Sequence, residues 1–325
     1  MKKILLCGAN GFIGKNLLKR FSNREEYEVL ATYNKTEPTT RVGHDRDSYG
    51  ENVRWVRADL RDRWVVEDIM RQDIDIVLQY AATTTGAKDI VSKPYIHVTD
   101  NAVMNSLLLR EAYESGVEHF IMPSCTIMYK PSEAPLTEND FNESEEIYPT
   151  YYGAGNTKVY LEKMCKFYAG LGRTKHTVLR QSNIYGPHDK YDLEKSHVFG
   201  ATVTKVMTND ERVVVWGSGE EERDFLYVED LVNLVEAAIE KQATEYELAN
   251  ASFGQSLSIK DLVRTVVDVS GKDLKIEYDE TKPTIKTKLA IDNARANEIF
   301  GWSPENDLVG GLNKTIEWYK NNELR

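Results

Sequence analysis

Little in this chain points to a metal, a membrane or nucleic acid. Cysteine is scarce: Cys7, Cys125 and Cys165 are the only three in 325 residues. No two of them form a C-x-x-C pair, so a disulfide framework and a zinc site are both excluded, and no metal is expected. An odd, sparse set of thiols suits a reducing cytoplasm. Long apolar runs are also missing; none approaches the ~20 residues that span a bilayer. The start, Met1-Lys2-Lys3-Ile4-Leu5-Leu6-Cys7, has the outline of a signal peptide, but its apolar stretch stops at Gly8 and is too short. A buried first strand is the expected reading. Positive charge is in deficit, with 41 Lys and Arg against 52 Asp and Glu, a formal net charge of -11. Such a surface repels phosphate backbones, which excludes nucleic acid as a partner. A small anionic ligand needs only a local group of Lys and Arg and remains compatible. Repeats and low-complexity tracts are absent.

What is present is an ordinary globular balance, 41% hydrophobic and 29% charged. The length fits one or two packed units. Through the first half, strand and helix patterns alternate. Strands are expected at 3–7, 28–33, 53–57, 74–79, 119–124 and 177–181, and helices at 12–21, 98–115 and 156–169. Short apolar runs separated by helices imply βαβ crossovers. The fold class is therefore α/β: a Rossmann-type doubly wound parallel sheet over residues 1–181, then a smaller mixed α/β lobe over 182–325 that carries the substrate. Some segments of that lobe are expected to return to the first sheet. In it, strands are expected at 212–216 and 275–278 and helices at 228–241, 259–270 and 308–321. Two long polar loops, 34–52 and 130–151, interrupt the order; loops of that length tend to be functional.

Gly8-Ala9-Asn10-Gly11-Phe12-Ile13-Gly14 follows the first expected strand and opens a helix. Glycines spaced by three allow a tight turn, a close backbone approach to a pyrophosphate, and close helix–strand packing. The helix start then offers free N–H groups and a positive dipole end. A dinucleotide site is expected there. An acidic residue ending the second strand would hold the ribose 2′-hydroxyl of NAD. This strand instead ends Ala31-Thr32-Tyr33-Asn34-Lys35, with Arg41 beyond. Lys35 or Arg41 can meet a 2′-phosphate, so NADPH is expected over NAD; the bland alternative is two solvated loop charges. Asp59-Leu60 after the third strand and Ala81-Ala82 after the fourth sit at the sheet edge where such ligands lie.

Reducing a ketone by hydride requires a proton donor, usually Tyr, a Lys that lowers the pKa of that Tyr, and a hydroxyl on the carbonyl oxygen. Ser124, ending a strand, and Lys158, on a helix, are the candidates. In Tyr151-Tyr152-Gly153-Ala154-Gly155-Asn156-Thr157-Lys158, Ala154 stands one helical turn before the lysine. A straight helix would turn Tyr152 to another face and leave Tyr151 on the right face but about 10 Å along the axis. If the chain loops out and the helix begins near Asn156 as N-cap, Tyr152 folds back toward the reaction. Tyr152, Tyr151 and the absence of any catalytic Tyr all stay open.

These motifs, with Arg180-x2-Asn183-x-Tyr185-Gly186-Pro187, resemble the extended short-chain dehydrogenase/reductase family. Asn183 to Asp189 followed by Ser196-His197-Val198, and 214–219 with 223–228, are similar to its GDP-L-fucose-synthase-like nucleotide-sugar reductases and epimerases. The resemblance implies a substrate that is a GDP-linked 4-keto-6-deoxy sugar and a homodimer, formed in such families by long helices like that over 101–113. It also implies roles. Ser124 binds the sugar's carbonyl oxygen, Lys158 holds the nicotinamide ribose, and His197 is an acid/base. Asn183 and Val198 line the site, and Lys205, Trp216, Arg223 and Lys286 bind the nucleotide diphosphate. Where the family places a thiol two residues after the serine, this chain has Thr126, a poor proton abstractor at neutral pH. The expected activity is thus reduction at C4 without 3,5-epimerisation. A 4-epimerase that recycles its NAD and a non-catalytic cofactor-binding sensor or scaffold are the alternatives.

Overall fold

Residues with strong β-branched and apolar runs flanked by turns favour extended pairing. In the computed structural model those runs of the first half lie side by side as parallel strands. The structure describes residues 1–38, 49–84, 93–282 and 288–324. The strands are β1 (Lys2–Cys7), β2 (Tyr27–Tyr33), β3 (Val53–Arg57), β4 (Ile76–Gln79), β5 (His119–Cys125), β6 (Lys175–Gln181) and, from far along the chain, β10 (Tyr246–Ala251). They form one seven-stranded sheet in the order β3-β2-β1-β4-β5-β6-β10, and every neighbouring pair is parallel. Order reverses between β1 and β4. A crevice opens at the carboxyl end of such a switch point, and ligands bind there.

Helices cover both faces. On one, α2 (Arg63–Met70), α3 (Thr99–Ser115) and α4 (Tyr152–Gly170) bury Ile69, Leu108, Leu109, Leu161 and Cys165 against the sheet. On the other, α1 (Phe12–Phe21) and α6 (Val228–Lys241) bury Leu17, Phe21, Leu231 and Val235, joined by Phe300 of α8 (Ala294–Phe300). So α6, β10 and α8 pack into the first core although they lie beyond residue 181.

The remaining elements make a second core. Here β7 (Asn183–Tyr185) pairs parallel with β9 (Glu222–Tyr227), which pairs antiparallel with β11 (Ser256–Ser258). A separate pair joins β8 (Arg212–Trp216) and β12 (Lys275–Asp279) in parallel. Around them pack α5 (Val198–Thr208), α7 (Ile259–Ser270) and α9 (Leu308–Asn322), with Tyr185 stacked on Phe199 at its centre. Phe12, the first residue of α1, also packs against this core, so the phosphate turn sits where the two units meet.

One expectation is corrected. The helix carrying Lys158 does not begin at Asn156 after a looped-out segment; α4 runs unbroken from Tyr152. Gly153 and Gly155 lie inside the helix where a Cβ would come within 2.9 Å of the Val98 and Ile147 side chains, so glycine lets the helix pass them. The Asn156 side chain donates back to the Tyr152 carbonyl at 2.8 Å, inside the helix rather than capping it.

Candidate active site

The crevice at the β1/β4 switch point is a cavity of about 700 Å³. Its floor is the glycine turn. Gly8 has φ +72, and a Cβ there would lie 2.7 Å from the Ala81 backbone. A Cβ on Gly14 would lie 2.1 Å from the Gly8 carbonyl oxygen, so α1 starts this close to β1 only because Gly14 has no side chain. Gly11 donates to the Gly8 carbonyl at 2.9 Å, closing the turn. The cradle that a pyrophosphate needs is therefore backbone shaped by missing side chains, and it fits a dinucleotide. Asn10 lines the cavity too, and its amide donates to the Thr36 carbonyl at 3.0 Å, tying the turn to the segment after β2. Phe12 and Ile13 point into the two cores instead of the cavity.

Asn34, Lys35, Asp59, Leu60, Ala81 and Ala82 all line this cavity, as does Lys15, which sequence reasoning passed over. Lys15 follows Gly14 in the first turn of α1, and that position alone could have singled it out. Asp59 is already engaged. Its carboxylate takes a hydrogen bond from Arg61 at 2.7 Å and is held down to about 2, chiefly by that bond. Arg61 reaches on to Asp100 at 3.0 Å. Arg41 and Lys286 lie outside the described residues.

At the carboxyl end of β5, side chains alternate between the two faces of the sheet. Ser124 is buried, and its hydroxyl donates to Glu162 on α4. Thr126 is buried too and donates to the Gln181 carbonyl at 3.4 Å. Between them Cys125 faces the other way. It lies near enough to Lys158 and Tyr151 for charge on each to act on it or through it. Burial pushes the Cys125 thiol up to about 11, and Lys158 opposes that shift. Lys158 donates to the Pro123 carbonyl at 2.7 Å; burial lowers its pKa, while Cys125 and then Glu162 raise it.

The two tyrosines separate clearly. Tyr152 opens α4 and is 55% exposed. Tyr151, in the short 3₁₀ turn Pro149–Tyr151 just before, is half-buried; burial raises its pKa and the guanidinium of Arg223 lowers it. Charge links Cys125 to Lys158 and to Tyr151, and Tyr151 to Arg223, whereas the hydroxyls of Ser124 and Thr126 are spent on Glu162 and the Gln181 carbonyl and Tyr152 is exposed. The signal for Cys125 was strand alternation: a buried inward Ser124 requires its neighbour to face the opposite side.

In the second unit, Arg223 on β9 donates to the Glu222 carbonyl at 3.1 Å, and burial lowers its pKa. Lys205 donates to the Val214 carbonyl at 3.0 Å and stands 5.5 Å over the exposed ring of Trp216. Asn183 spends its amide on the Asp224 carbonyl at 3.0 Å. His197 and Val198 mark the start of α5, where desolvation, then the charge of Lys190, lowers the imidazole pKa.

A model of the NAD dependent epimerase/dehydratase family matches residues 4–251. The chain belongs to that family. Among relatives, a GDP-L-fucose synthase of Azorhizobium caulinodans is 27% identical over 98% of this chain and 96% of its own. A dTDP-4-dehydro-6-deoxy-D-allose reductase of Streptomyces is 28% identical over 98% and 96%. In fold, the UDP-glucose 4-epimerase of Thermotoga maritima, solved with UDP-glucose, superposes with a TM-score of 0.84 at 24% identity, covering 98% of both chains. The resemblance read from the motifs and the Rossmann-type α/β class both hold.

Proposed function

We propose that this chain is an NADPH-dependent reductase acting on the C4 ketone of a nucleotide-linked 4-keto-6-deoxy sugar, GDP-linked in the first instance. The observation that supports the reading most is the placement of two features on one sheet edge. The glycine cradle lies at β1/β4, and Lys158 lies against the end of β5, the strand next to β4. Gly8, Gly11 and Gly14 would hold the phosphates of a dinucleotide, and Lys158 its nicotinamide ribose. Bound there, the cofactor supplies hydride to the ketone.

The protein's own work is to bind, orient and move a proton. Lys158 would donate to the nicotinamide ribose, and its charge would lower the pKa of a donor phenol brought to the ketone. Tyr151 is that donor in this reading: it is half-buried and faces Cys125 and Arg223, whereas Tyr152 is turned to solvent. The proton goes from the Tyr151 hydroxyl to the sugar's C4 oxygen. Arg223, with Lys205 and Trp216, takes the nucleotide diphosphate, for which a planar guanidinium is suited. Lys15 and Lys35 on the cavity wall favour the 2′-phosphate of NADPH. The same reading makes the chain a cytoplasmic homodimer, associating through the outer sides of α3 and α4, where Val103, Tyr160 and Phe167 stand exposed.

The test is an assay with GDP-, dTDP- and UDP-linked 4-keto-6-deoxy sugars in heavy water, with NADPH or NADH. Stoichiometric NADPH oxidation with no deuterium at C3 or C5 is the expected outcome. Interconversion of a 4-hydroxy nucleotide sugar with its C4 epimer, without net cofactor oxidation, would mean a 4-epimerase, and deuterium at C3 or C5 would restore epimerisation at those carbons.

A further inference from the structure

Behind Lys158 lies a buried charged cluster that touches neither the cavity nor the sugar side. Its centre is Glu162, whose side chain is 7% exposed. Glu162 follows Lys158 by one helical turn, so both project from the same face of α4. Each meets the end of β5. Lys158 donates to the Pro123 carbonyl at 2.7 Å, and the next residue, Ser124, donates its hydroxyl to Glu162. Two bonds one turn apart therefore pin the last residues of β5 to the helix. Arg180, the register partner of Ser124 on β6, completes the cluster. Its Nε and Nη2 reach the two Glu162 oxygens at 3.1 and 2.8 Å, a two-pronged pairing that fixes the plane of the carboxylate. Its Nη1 goes to the Tyr129 hydroxyl at 2.9 Å and the Glu138 carbonyl at 3.0 Å, which anchors the loop after β5.

We infer that Glu162 is a positioning residue: with Ser124 and Arg180 it sets where Lys158 stands and keeps it charged, so the Ser124 hydroxyl serves this support and not the sugar's oxygen. The inference rests on the reductase reading. A carboxylate held by three donors and shut away from solvent is not presented to a ligand; what it offers is fixed geometry and negative charge one turn from a desolvated ammonium. The groups acting on that ammonium are Cys125 from β5 and Glu162 and Cys165 from α4; Arg180 from β6 acts on the same thiol. Burial lowers the Lys158 pKa and Glu162 opposes the shift. The sign follows. Without the Glu162 charge, Lys158 loses its proton at lower pH, and both cofactor binding and turnover fade earlier as pH rises.

The test compares Glu162→Gln, Glu162→Asp and Ser124→Ala with the parent, first by NADPH fluorescence titration across pH and then by turnover on the nucleotide 4-keto sugar. If the parent binds no NADPH, the reductase reading itself fails. If the parent binds, Glu162→Gln is expected to move the alkaline limb down by about one pH unit, a differential of the usual size for a lost neighbouring charge. Glu162→Asp is expected to keep the limb and lose only kcat. Ser124→Ala leaves the Glu162–Arg180 pair intact, and is expected to lower kcat by about tenfold with the limb and KM unmoved. An unshifted limb in a folded Glu162→Gln protein would overturn the inference. So would a loss of about 10³-fold or more in Ser124→Ala, the size expected of a group on the reacting oxygen. Should Glu162→Gln fail to fold, Ser124→Ala decides: a loss of about tenfold supports the inference and a loss of about 10³-fold or more overturns it.

Discussion

The two ends of the candidate site, the glycine-floored cavity and the side chains at the end of β5, are built on different principles. The phosphate end is almost all backbone. Its shape comes from side chains that are missing at Gly8, Gly11 and Gly14, and any residue large enough to carry a Cβ at Gly14 would strike the Gly8 carbonyl. The reaction end is all side chains, and they come from three elements: Cys125 from β5, Lys158 from α4 and Tyr151 from the turn before it. A backbone site leaves its mark in the sequence as a spacing. A side-chain site can trade one residue for another a few positions away, provided the atoms arrive in the same place. That difference is why the glycine spacing is regular here while the Tyr-to-Lys spacing is not.

The comparison can be broken most forcefully at Lys158. Lys158→Ala is expected to lower kcat by about 10³-fold, within the range of general acid–base assistance, while the glycine-floored cavity still holds the adenine half. Loss of all NADPH binding instead would mean that the two ends are not separable. Next come the tyrosines. Tyr151→Phe is expected to cost about 10²-fold in kcat, and Tyr152→Phe less than about twofold, as for an exposed residue away from the chemistry. Equal losses would erase the distinction that the structure draws between them. At the phosphate end, Gly14→Ala forces α1 away from β1. Overpacking of that kind costs on the order of 1–3 kcal/mol, which appears as roughly a 10- to 100-fold rise in the NADPH dissociation constant. The smallest effect sharpens cofactor choice. Lys35→Ala is expected to weaken NADPH by about tenfold, the worth of one charge-assisted hydrogen bond, and to leave NADH unchanged, as isothermal titration with both cofactors would show.

Much of the first unit was legible because its signals are local. The runs at 3–7, 28–33 and 119–124 are apolar and β-branched, and all three are strands of the parallel sheet. Other elements gave no such signal. In β10, Glu247 and Asn250 are polar yet buried, satisfied by Arg295 and by the carbonyls of Leu136 and Asp292. A strand whose polar groups are paired by distant segments does not read as apolar. Likewise α5 is rich in Val and Thr, poor helix formers, and is helical because it buries Phe199, Val203 and Val206 in the second core. In the site, residue type pointed to Ser124 and Thr126, but only the pleat of β5 shows that their hydroxyls go to Glu162 and Gln181. The start of α4 was misjudged because two glycines read as a break. Here they are the small residues that let the helix pass Val98 and Ile147.

The most direct test of the central claim follows the hydride itself. The protein would be given NADPH carrying deuterium at nicotinamide C4 together with a GDP-4-keto-6-deoxy sugar, and the product examined by NMR. Deuterium at C4 of the sugar, with one NADPH consumed for each sugar reduced, is the expected result. A product without deuterium at C4, or cofactor left untouched while the sugar changes, would contradict it.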